Sequence, residues 1–214
     1  MAEWTIVYHP GEFKGRAEAL RLILEDAGVS YDTSSGQIYG PEGHMDAFRG
    51  SADAVAALDN APFPVMFPPA IWHRPPGGEE VYVNQTAACV AYLGNCLGYG
   101  PGTDAERARA DQITQNCTDY VSEGRGTFHP VNQKESYASQ KEEGDKKSKE
   151  WSASRMLVWL QHFEKLAKRA GPEKPIAGGP AATYADFMLL HALDATEAQF
   201  NTDFYSTAWG AADV

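Results

Sequence analysis

The chain has 214 residues, a formal net charge of −11 and 43% hydrophobic residues. This length and apolar content are sufficient for one large hydrophobic core or two modest ones. The acidic balance opposes general binding to phosphate backbones or anionic lipid surfaces, so we expect neither nucleic acid nor a membrane as a partner. No apolar run approaches the roughly 18 to 20 residues of a membrane helix, and the N-terminal residues lack the basic start of a signal peptide, which predicts a cytoplasmic protein.

The cysteines and histidines are not spaced like metal ligands or redox pairs. The three cysteines, Cys89, Cys96 and Cys117, contain no CxxC pair, and the six histidines show no ligand spacing. The sequence therefore predicts reduced, mostly structural thiols and no metal site.

Apolar periodicity predicts an α/β first part. Residues 5–8 form a short β-rich run, and after a Pro/Gly turn Ala17, Leu20 and Leu24 recur at helical spacing, with Gly28 where a helix would stop. The further elements predicted are a strand within 30–39, a helix within 44–58, strands at 65–67 and 81–84, and a helix at 86–97. The resulting order, βαβαββα, is that of a thioredoxin-like unit.

Beyond the Gly-rich hinge at residues 98–102, only helical spacing remains. One helix is predicted from Ile113, Cys117, Tyr120 and Gly124, and a second from Met156, Trp159, Leu160, Phe163 and Ala167. A third begins at Thr183–Asp186, where the threonine and the aspartate are spaced to cap the first turn reciprocally. Residues 187–190 and Leu193, which follow, are apolar nearly all round the helix, which predicts that it lies at the centre of an all-helical domain. The pattern predicts two domains, a thioredoxin-like domain over 1–97 and an all-α domain over 103–214.

Tyr8 is the candidate reactive group of the first domain. Thioredoxin-like proteins place their reactive group in the turn after the first strand, and residues 9–15 contain neither cysteine nor serine, which opposes thiol–disulfide chemistry. A phenol with a reference pKa of about 10 is a poor base at neutral pH, but its hydroxyl donates well to a thiolate. Taken alone, Tyr8 also fits an ordinary strand-end residue.

Two further short motifs mark candidate binding positions. A cis bond at Phe63-Pro64 would turn the Phe63 N–H and C=O outward to pair with an extended peptide, although proline at a strand start is common in any case. Thr86 follows Gln85 at the predicted start of a helix, where free backbone N–H groups can bind a carboxylate. An ordinary helix cap gives the same pattern.

Together these motifs resemble those of the tyrosine-type cytosolic glutathione transferases. The resemblance rests on Tyr8 followed by Gly-Arg-Ala-Glu at residues 15–18, on Pro64, on Gln85-Thr86, and on the box at Thr183–Asp186. It spans about residues 3 to 200, and the Gly-Arg-Ala-Glu run is most similar to sigma-type members. Compared with what the resemblance implies, the all-α domain over 103–214 is short at its C-terminus.

The resemblance implies a role for each matching position. Tyr8 would be the thiol activator, and Arg16 would steady the first helix beside it. The Phe63 backbone with Pro64 would hold the cysteinyl part of glutathione, and Gln85 with Thr86 the γ-glutamyl end. Three further positions would face the ligands, namely Gln115 towards the partner subunit's glutathione, and His9 and Phe13 at the mouth of the acceptor site.

The implied function is conjugation of the glutathione thiolate to a small hydrophobic electrophile by a homodimer, with glutathione as substrate and no metal. Two alternatives remain open. A glutathione-dependent isomerase, as in the sigma-type prostaglandin synthases, would use the same site without consuming glutathione. A non-catalytic binding or assembly subunit would keep the fold and lose turnover. The acceptor substrate does not follow from the sequence.

Overall fold

The computed structural model describes residues 3–9, 14–34, 63, 68–133 and 135–200. The chain divides into two compact units, unit 1 over Met1–Gly100 and unit 2 over Pro101–Val214. In the part of the chain that is described, no helix has both the length and the apolar character needed to cross a membrane.

Unit 1 is built around a four-stranded mixed sheet with the strand order β2-β1-β3-β4. Its elements in chain order are β1 (Trp4–Val7), a 3₁₀ turn (Gly15–Ala17), α1 (Glu18–Asp26), β2 (Tyr31–Ser34), β3 (Ala70–His73), β4 (Val81–Asn84) and α2 (Thr86–Leu97). Strand β1 is parallel to β2 and antiparallel to β3, and β3 is antiparallel to β4. The predicted mixed α/β fold of this part is confirmed.

Helix α1 shows how the apolar pattern fixes this layer. Its buried residues, Ala19, Leu20, Ile23 and Leu24, lie on one face, and the helix packs beside α2. Gly28 adopts a φ of +67°, where side chains with a Cβ are disfavoured, and its N–H donates to the Glu25 carbonyl at 3.0 Å. The predicted helix and its stop are both confirmed.

The third strand lies later in the chain than predicted. Strand β3 is Ala70–His73, which pairs with β1 in the register Trp4 to His73, whereas the predicted segment 65–67 and the predicted helix within 44–58 lie outside the described residues. The cue for β3 is a β-favouring Ile71-Trp72 pair that follows Pro68-Pro69 after one alanine, and the two prolines are joined by a cis bond. A proline pair before a β-favouring run is the start signal that the prediction missed.

Unit 2 is helical in every regular element described. Its elements are α3 (Asp104–Phe128), a 3₁₀ turn (Tyr137–Gln140), α4 (Lys141–Trp151), a π-helical segment (Ser152–Met156), α5 (Leu157–Ala170) and α6 (Tyr184–Phe200). Helix α3 packs against both α6 and α4. The buried hydroxyl of Tyr120 on α3 hydrogen-bonds Thr196 of α6 at 2.7 Å, which fixes the contact between these two helices in the core.

The apolar stripes predicted for this unit are mostly correct. All four residues predicted for the first helix are buried on α3. In the second stripe Met156, Leu160 and Phe163 are buried, whereas Ala167 is exposed near the end of α5. Helix α6 was expected to be central along its apolar run, yet Leu190 is 53% exposed, so only one side of this helix enters the core.

The three thiols should differ sharply in reactivity. Burial raises the pKa of both Cys89 and Cys117 to about 12, whereas Cys96 is exposed. Because the thiolate is the nucleophile, we expect a disulfide reagent at mildly alkaline pH to modify one thiol per native chain and three after unfolding. Cys96→Ser should abolish the native reaction, and modification of this variant at the wild-type rate would contradict the assignment.

Candidate active site

The Tyr8 hydroxyl is held by a backbone donor from the following turn. Tyr8 directly follows β1, its side chain is 4% exposed, and its Oη accepts a hydrogen bond from the Arg16 N–H at 2.8 Å. A phenol oxygen has one proton and can also accept. The Arg16 N–H occupies an acceptor position of Tyr8, so this hydrogen bond does not use the phenol proton.

The 3₁₀ turn Gly15–Ala17 carries this donor and joins Tyr8 to the start of α2. The turn has no side-chain cap at Lys14, and Gly15 has a φ of +45°. The Arg16 carbonyl accepts a hydrogen bond from Thr86 Oγ1 at 3.5 Å. The structure thus brings Tyr8, the Arg16 backbone and Thr86 together, and the roles that the resemblance implies for these residues stay predictions.

A largely buried ion pair flanks the Tyr8 ring, and the sequence prediction gave it no role. Arg21 Nη1 lies 3.2 Å from Glu18 Oε2 and donates to the Lys14 carbonyl at 3.0 Å. The Arg21 guanidinium carbon lies 6.0 Å from the centroid of the Tyr8 ring. The sequence could have predicted this pair, because two opposite charges three residues apart lie on the same face of a helix. This pair fixes the turn and places positive charge beside the phenol.

His9 packs directly on the candidate activator. Its ring meets that of Tyr8 edge to face, with centroids 4.8 Å apart. The predicted acceptor-site role of His9 therefore concerns a residue adjacent to the phenol. Phe13, predicted for the same mouth, lies outside the described residues.

Gln85 and Thr86 occupy the start of α2, but their roles in the helix differ from those predicted. Gln85 is the N-cap residue and makes no side-chain cap, while Thr86 is the first helical residue and is 7% exposed. The Cys89 N–H donates to the Gln85 carbonyl at 2.9 Å, so the helical ladder begins there. The first N–H groups of a helix have no partner within it, and they carry partial positive charge. This end of α2 suits a carboxylate.

Gln85 has a strained backbone, with φ 70° and ψ 120°. Such a conformation costs a residue with a Cβ about 1–3 kcal/mol, whereas glycine adopts it without steric cost. We expect Gln85→Gly to have a free energy of unfolding about 1 kcal/mol higher than Gln85→Ala, since both lose the side chain and only glycine relieves the strain. Urea unfolding of the two variants measures this difference. Equal stabilities would mean that the strain is not present in solution.

The remaining predicted positions are only partly described. Phe63 is 63% exposed, and Pro64 lies outside the described residues. Because β3 begins at Ala70, the residues entering this strand are Pro68 and Pro69, which have carbonyl acceptors and no N–H. Gln115 is exposed on α3 of unit 2. The roles predicted for Phe63, Pro64 and Gln115 stay predictions.

Within residues 3–9, 14–34, 63, 68–133 and 135–200, no three His, Cys, Asp or Glu side chains come together in a way that could hold a metal ion. The groups that the described residues place around Tyr8 are its phenol, the Arg16 N–H and the ion pair of Arg21 with Glu18.

Comparison with known proteins finds a family match in the C-terminal part of the chain. Residues 126–208 match the model of the glutathione S-transferase C-terminal domain. No curated protein sequence matches the chain.

Solved structures resemble the chain over almost its whole length. A sigma class glutathione transferase of Fasciola hepatica has a TM-score of 0.67 at 17% identity, covering 99% of this chain and 89% of that one. A Pi-class glutathione S-transferase of Onchocerca volvulus has a TM-score of 0.67 at 15% identity, covering 99% and 83%. Prostaglandin synthase D of Nilaparvata lugens has a TM-score of 0.63 at 15% identity, covering 97% and 87%. This shared architecture, together with the C-terminal domain match, shows that the chain has the fold of the glutathione S-transferases.

Proposed function

We propose that the protein is a glutathione transferase that activates the glutathione thiol with the Tyr8 hydroxyl. The observation that carries the proposal is the 2.8 Å hydrogen bond from the Arg16 N–H to Tyr8 Oη. This bond holds the phenol oxygen at the end of β1 through one of its acceptor positions, and the role proposed for the phenol proton is donation to a sulfur anion. A hydrogen bond to a charged group contributes about 1.5–3 kcal/mol, which lowers the pKa of a thiol by about one to two units.

The reaction proposed is nucleophilic substitution or addition by the bound thiolate. The thiol proton passes to solvent, Tyr8 donates its hydrogen bond to the remaining anion, and the sulfur attacks an electrophilic carbon. A carbon–sulfur bond forms, and in a substitution the leaving group departs with its bonding electrons. No redox change occurs, so neither an oxidant nor a reductant is required.

Glutathione would use donors and acceptors that unit 1 presents at its strand and helix ends. The γ-glutamyl carboxylate suits the first turn of α2 beside Gln85, because the helix end supplies N–H donors and positive potential. The cysteinyl N–H suits a carbonyl acceptor at the entrance to β3. The exposed Phe63 and the adjacent Pro64 are proposed for the same moiety, and His9 and Phe13 for the acceptor. Gln115 is proposed to face the glutathione of the other subunit in a homodimer.

A glutathione-dependent isomerase is the second candidate function, favoured by the structural likeness to prostaglandin synthase D of Nilaparvata lugens. In that case the thiolate would add to the substrate and leave again, regenerating glutathione. A non-catalytic binding or assembly subunit is the remaining alternative. Product analysis separates the first two functions, because only conjugation consumes glutathione.

The test is consumption of glutathione with chlorodinitrobenzene by the wild type and by Tyr8→Phe. Formation of the aryl conjugate by the wild type, with a strong loss in the variant, is the expected result. If neither protein forms the conjugate, isothermal titration with glutathione distinguishes an isomerase, which binds it, from a subunit that has lost the site.

A further inference from the structure

His73, the last residue of β3, has a titratable partner on each ring nitrogen. Its Nε2 lies 2.9 Å from Glu3 Oε1, and its Nδ1 lies 2.7 Å from the Tyr92 hydroxyl on α2. His73 pairs with Trp4 at the start of β1, whereas Tyr8 follows the other end of that strand. This cluster is therefore separate from the candidate active site, and the proposed function gives it no role.

The Trp4 ring covers one face of the imidazole. The two rings stack with centroids 3.6 Å apart and an interplanar angle of 7°, and His73 is only 8% exposed. The Tyr92 ring is tilted against both of them. Since water has little access to the imidazole, the protein itself determines which hydrogen bonds the two nitrogens make.

Arg74, the charged residue next to His73 in the chain, interacts elsewhere. Its guanidinium carbon lies 4.3 Å from the centroid of the Trp72 ring, and its Nη2 donates to Thr5 Oγ1 at 2.7 Å. Trp72 and His73 are successive residues of β3, whose side chains lie on opposite faces of the sheet, so this guanidinium is separated from the imidazole. Val81, the residue of β4 that pairs with His73, carries no charge. Among the described residues, the titratable groups that contact the His73 ring are therefore its two hydrogen-bond partners.

The donor and acceptor roles in this cluster follow from the chemistry of the two partners. An ionised carboxylate has only acceptor positions, so Nε2 of His73 must carry a proton to bond Glu3. In the neutral imidazole Nδ1 then has a lone pair, and the Tyr92 hydroxyl donates to it. In the imidazolium Nδ1 has a proton, and the Tyr92 oxygen accepts it. Both charge states of His73 keep both hydrogen bonds, and only the direction of the bond to Tyr92 changes.

The direction of this bond decides where the Tyr92 proton is used. Burial and the neighbouring Cys96 thiol raise the pKa of Tyr92 to about 12, so the phenol keeps its proton near neutral pH. Cys96 lies four residues further along α2, on the same side of the helix, and is exposed. When His73 is neutral, the Tyr92 proton is held by Nδ1. When His73 is charged, that proton is released for the Cys96 sulfur.

We propose that His73 is a proton-operated switch, which in its charged form turns the Tyr92 hydroxyl proton from the imidazole to the Cys96 sulfur. A hydrogen bond to the anion favours the thiolate over the thiol, so protonation of His73 makes Cys96 more nucleophilic than it is beside the neutral imidazole. Histidine is the side chain that ordinarily changes its charge between about pH 5 and 8, so the switch operates near physiological pH.

The test is the rate at which Cys96 reacts with dithiodipyridine in the wild type and in Tyr92→Phe. At about pH 8, where an imidazole is ordinarily neutral, the two proteins should react at the same rate. At about pH 5.5 the wild type should react about tenfold faster, the weak end of the range for a hydrogen bond to a charged group. Comparing the two proteins at one pH cancels the general loss of thiolate in acid, and Cys96→Ser gives the background rate.

Tyr99→Phe is the matched control for this experiment. Tyr99 follows α2, and its hydroxyl donates to Asp26 Oδ2 at 2.5 Å. This variant loses a phenolic hydroxyl near the end of the same helix and should keep the wild-type rates at both pH values. Glu3→Gln removes the carboxylate that favours the charged imidazole, so its rate in acid should fall towards that of Tyr92→Phe.

A second readout follows the imidazole itself in protein labelled with ¹⁵N in its histidines. The His73 resonances are identified by their loss in His73→Gln. Above neutral pH we expect a proton on Nε2 and none on Nδ1, and on acidification a proton on both. This measurement uses the wild-type protein, so it tests the switch even if Tyr92→Phe does not fold.

Three results would overturn the switch. A neutral His73 with its proton on Nδ1 would mean that Tyr92 already accepts in that state. Equal rates in the wild type and in Tyr92→Phe at both pH values would mean that the phenol never serves the thiolate. A wild-type advantage of the same size at both pH values would mean that Tyr92 serves Cys96 whatever the charge of His73. None of these results bears on the chemistry proposed for Tyr8.

Discussion

Tyr8→Phe should lower kcat/KM for conjugation of glutathione to chlorodinitrobenzene by about 10- to 100-fold, the equivalent of one charge-assisted hydrogen bond of about 1.5–3 kcal/mol. The expected loss arises at the thiolate, because phenylalanine fills the same volume and has no proton to donate. The bound thiol of the wild type should ionise below the pKa of free glutathione, so kcat/KM stays high down to that lower pH. In the variant the pH–rate profile should move up by about one to two units, with the deficit largest near neutral pH and smallest in alkali.

Tyr31→Phe is the matched control for this prediction. Tyr31 begins β2 in the same unit, and its hydroxyl donates to Glu25 Oε1 at 2.9 Å on an exposed surface. This variant loses a phenolic hydrogen bond of similar length and should conjugate glutathione at the wild-type rate. Equal activity of Tyr8→Phe and Tyr31→Phe would remove Tyr8 from the mechanism. Binding of S-methylglutathione by both variants checks that the site remains folded.

The neighbourhood of Tyr8 was partly predictable from the sequence because local signals and tertiary contacts agree there. The β-rich run ending at Tyr8, the helical spacing of α1 and the stop at Gly28 predicted the strand–turn–helix unit. What the sequence could not predict is that Arg16 contributes its backbone to the phenol, since a main-chain donor leaves no residue-type signature. The same holds for the Thr86 contact, which joins residues 70 positions apart.

The prediction did not find β3, because two similar proline signals lie close together in this part of the chain. The prediction placed the third strand at residues 65–67, after one proline, whereas β3 follows a second proline signal at Pro68-Pro69. A short strand is specified by its partner, and the pairing of Ile6 with Ile71 is a long-range contact that periodicity cannot detect. In unit 2, the prediction overestimated the burial of α6. Its apolar run includes the exposed Leu190, so the sequence shows no contrast between the buried and the exposed face of this helix.

The capping site of α6 was the most accurately predicted local feature, and it also gives the largest expected effect on stability. Asp186 Oδ2 accepts from the Thr183 N–H at 2.8 Å, and Oδ1 accepts from the Ile176 N–H at 2.8 Å. The Thr183 hydroxyl also donates to Oδ2 at 3.1 Å. One carboxylate therefore caps the helix and ties it to the preceding loop.

Asp186→Ala should lower the free energy of unfolding by about 3 kcal/mol, because it removes a helix cap and leaves two part-buried backbone donors without an acceptor. Urea unfolding measures the total loss, and amide hydrogen exchange should show lost protection at Ile176 and Thr183. Asp186→Asn keeps one acceptor oxygen and should be intermediate. Glu197→Ala, which removes an exposed carboxylate from the same helix, should change stability by less than about 0.5 kcal/mol. If Asp186→Ala were as stable as Glu197→Ala, the two backbone contacts would contribute nothing to the fold. A loss confined to Asp186→Ala would show that the start of α6 is anchored by one side chain, on which the packing of α6 against α3 depends.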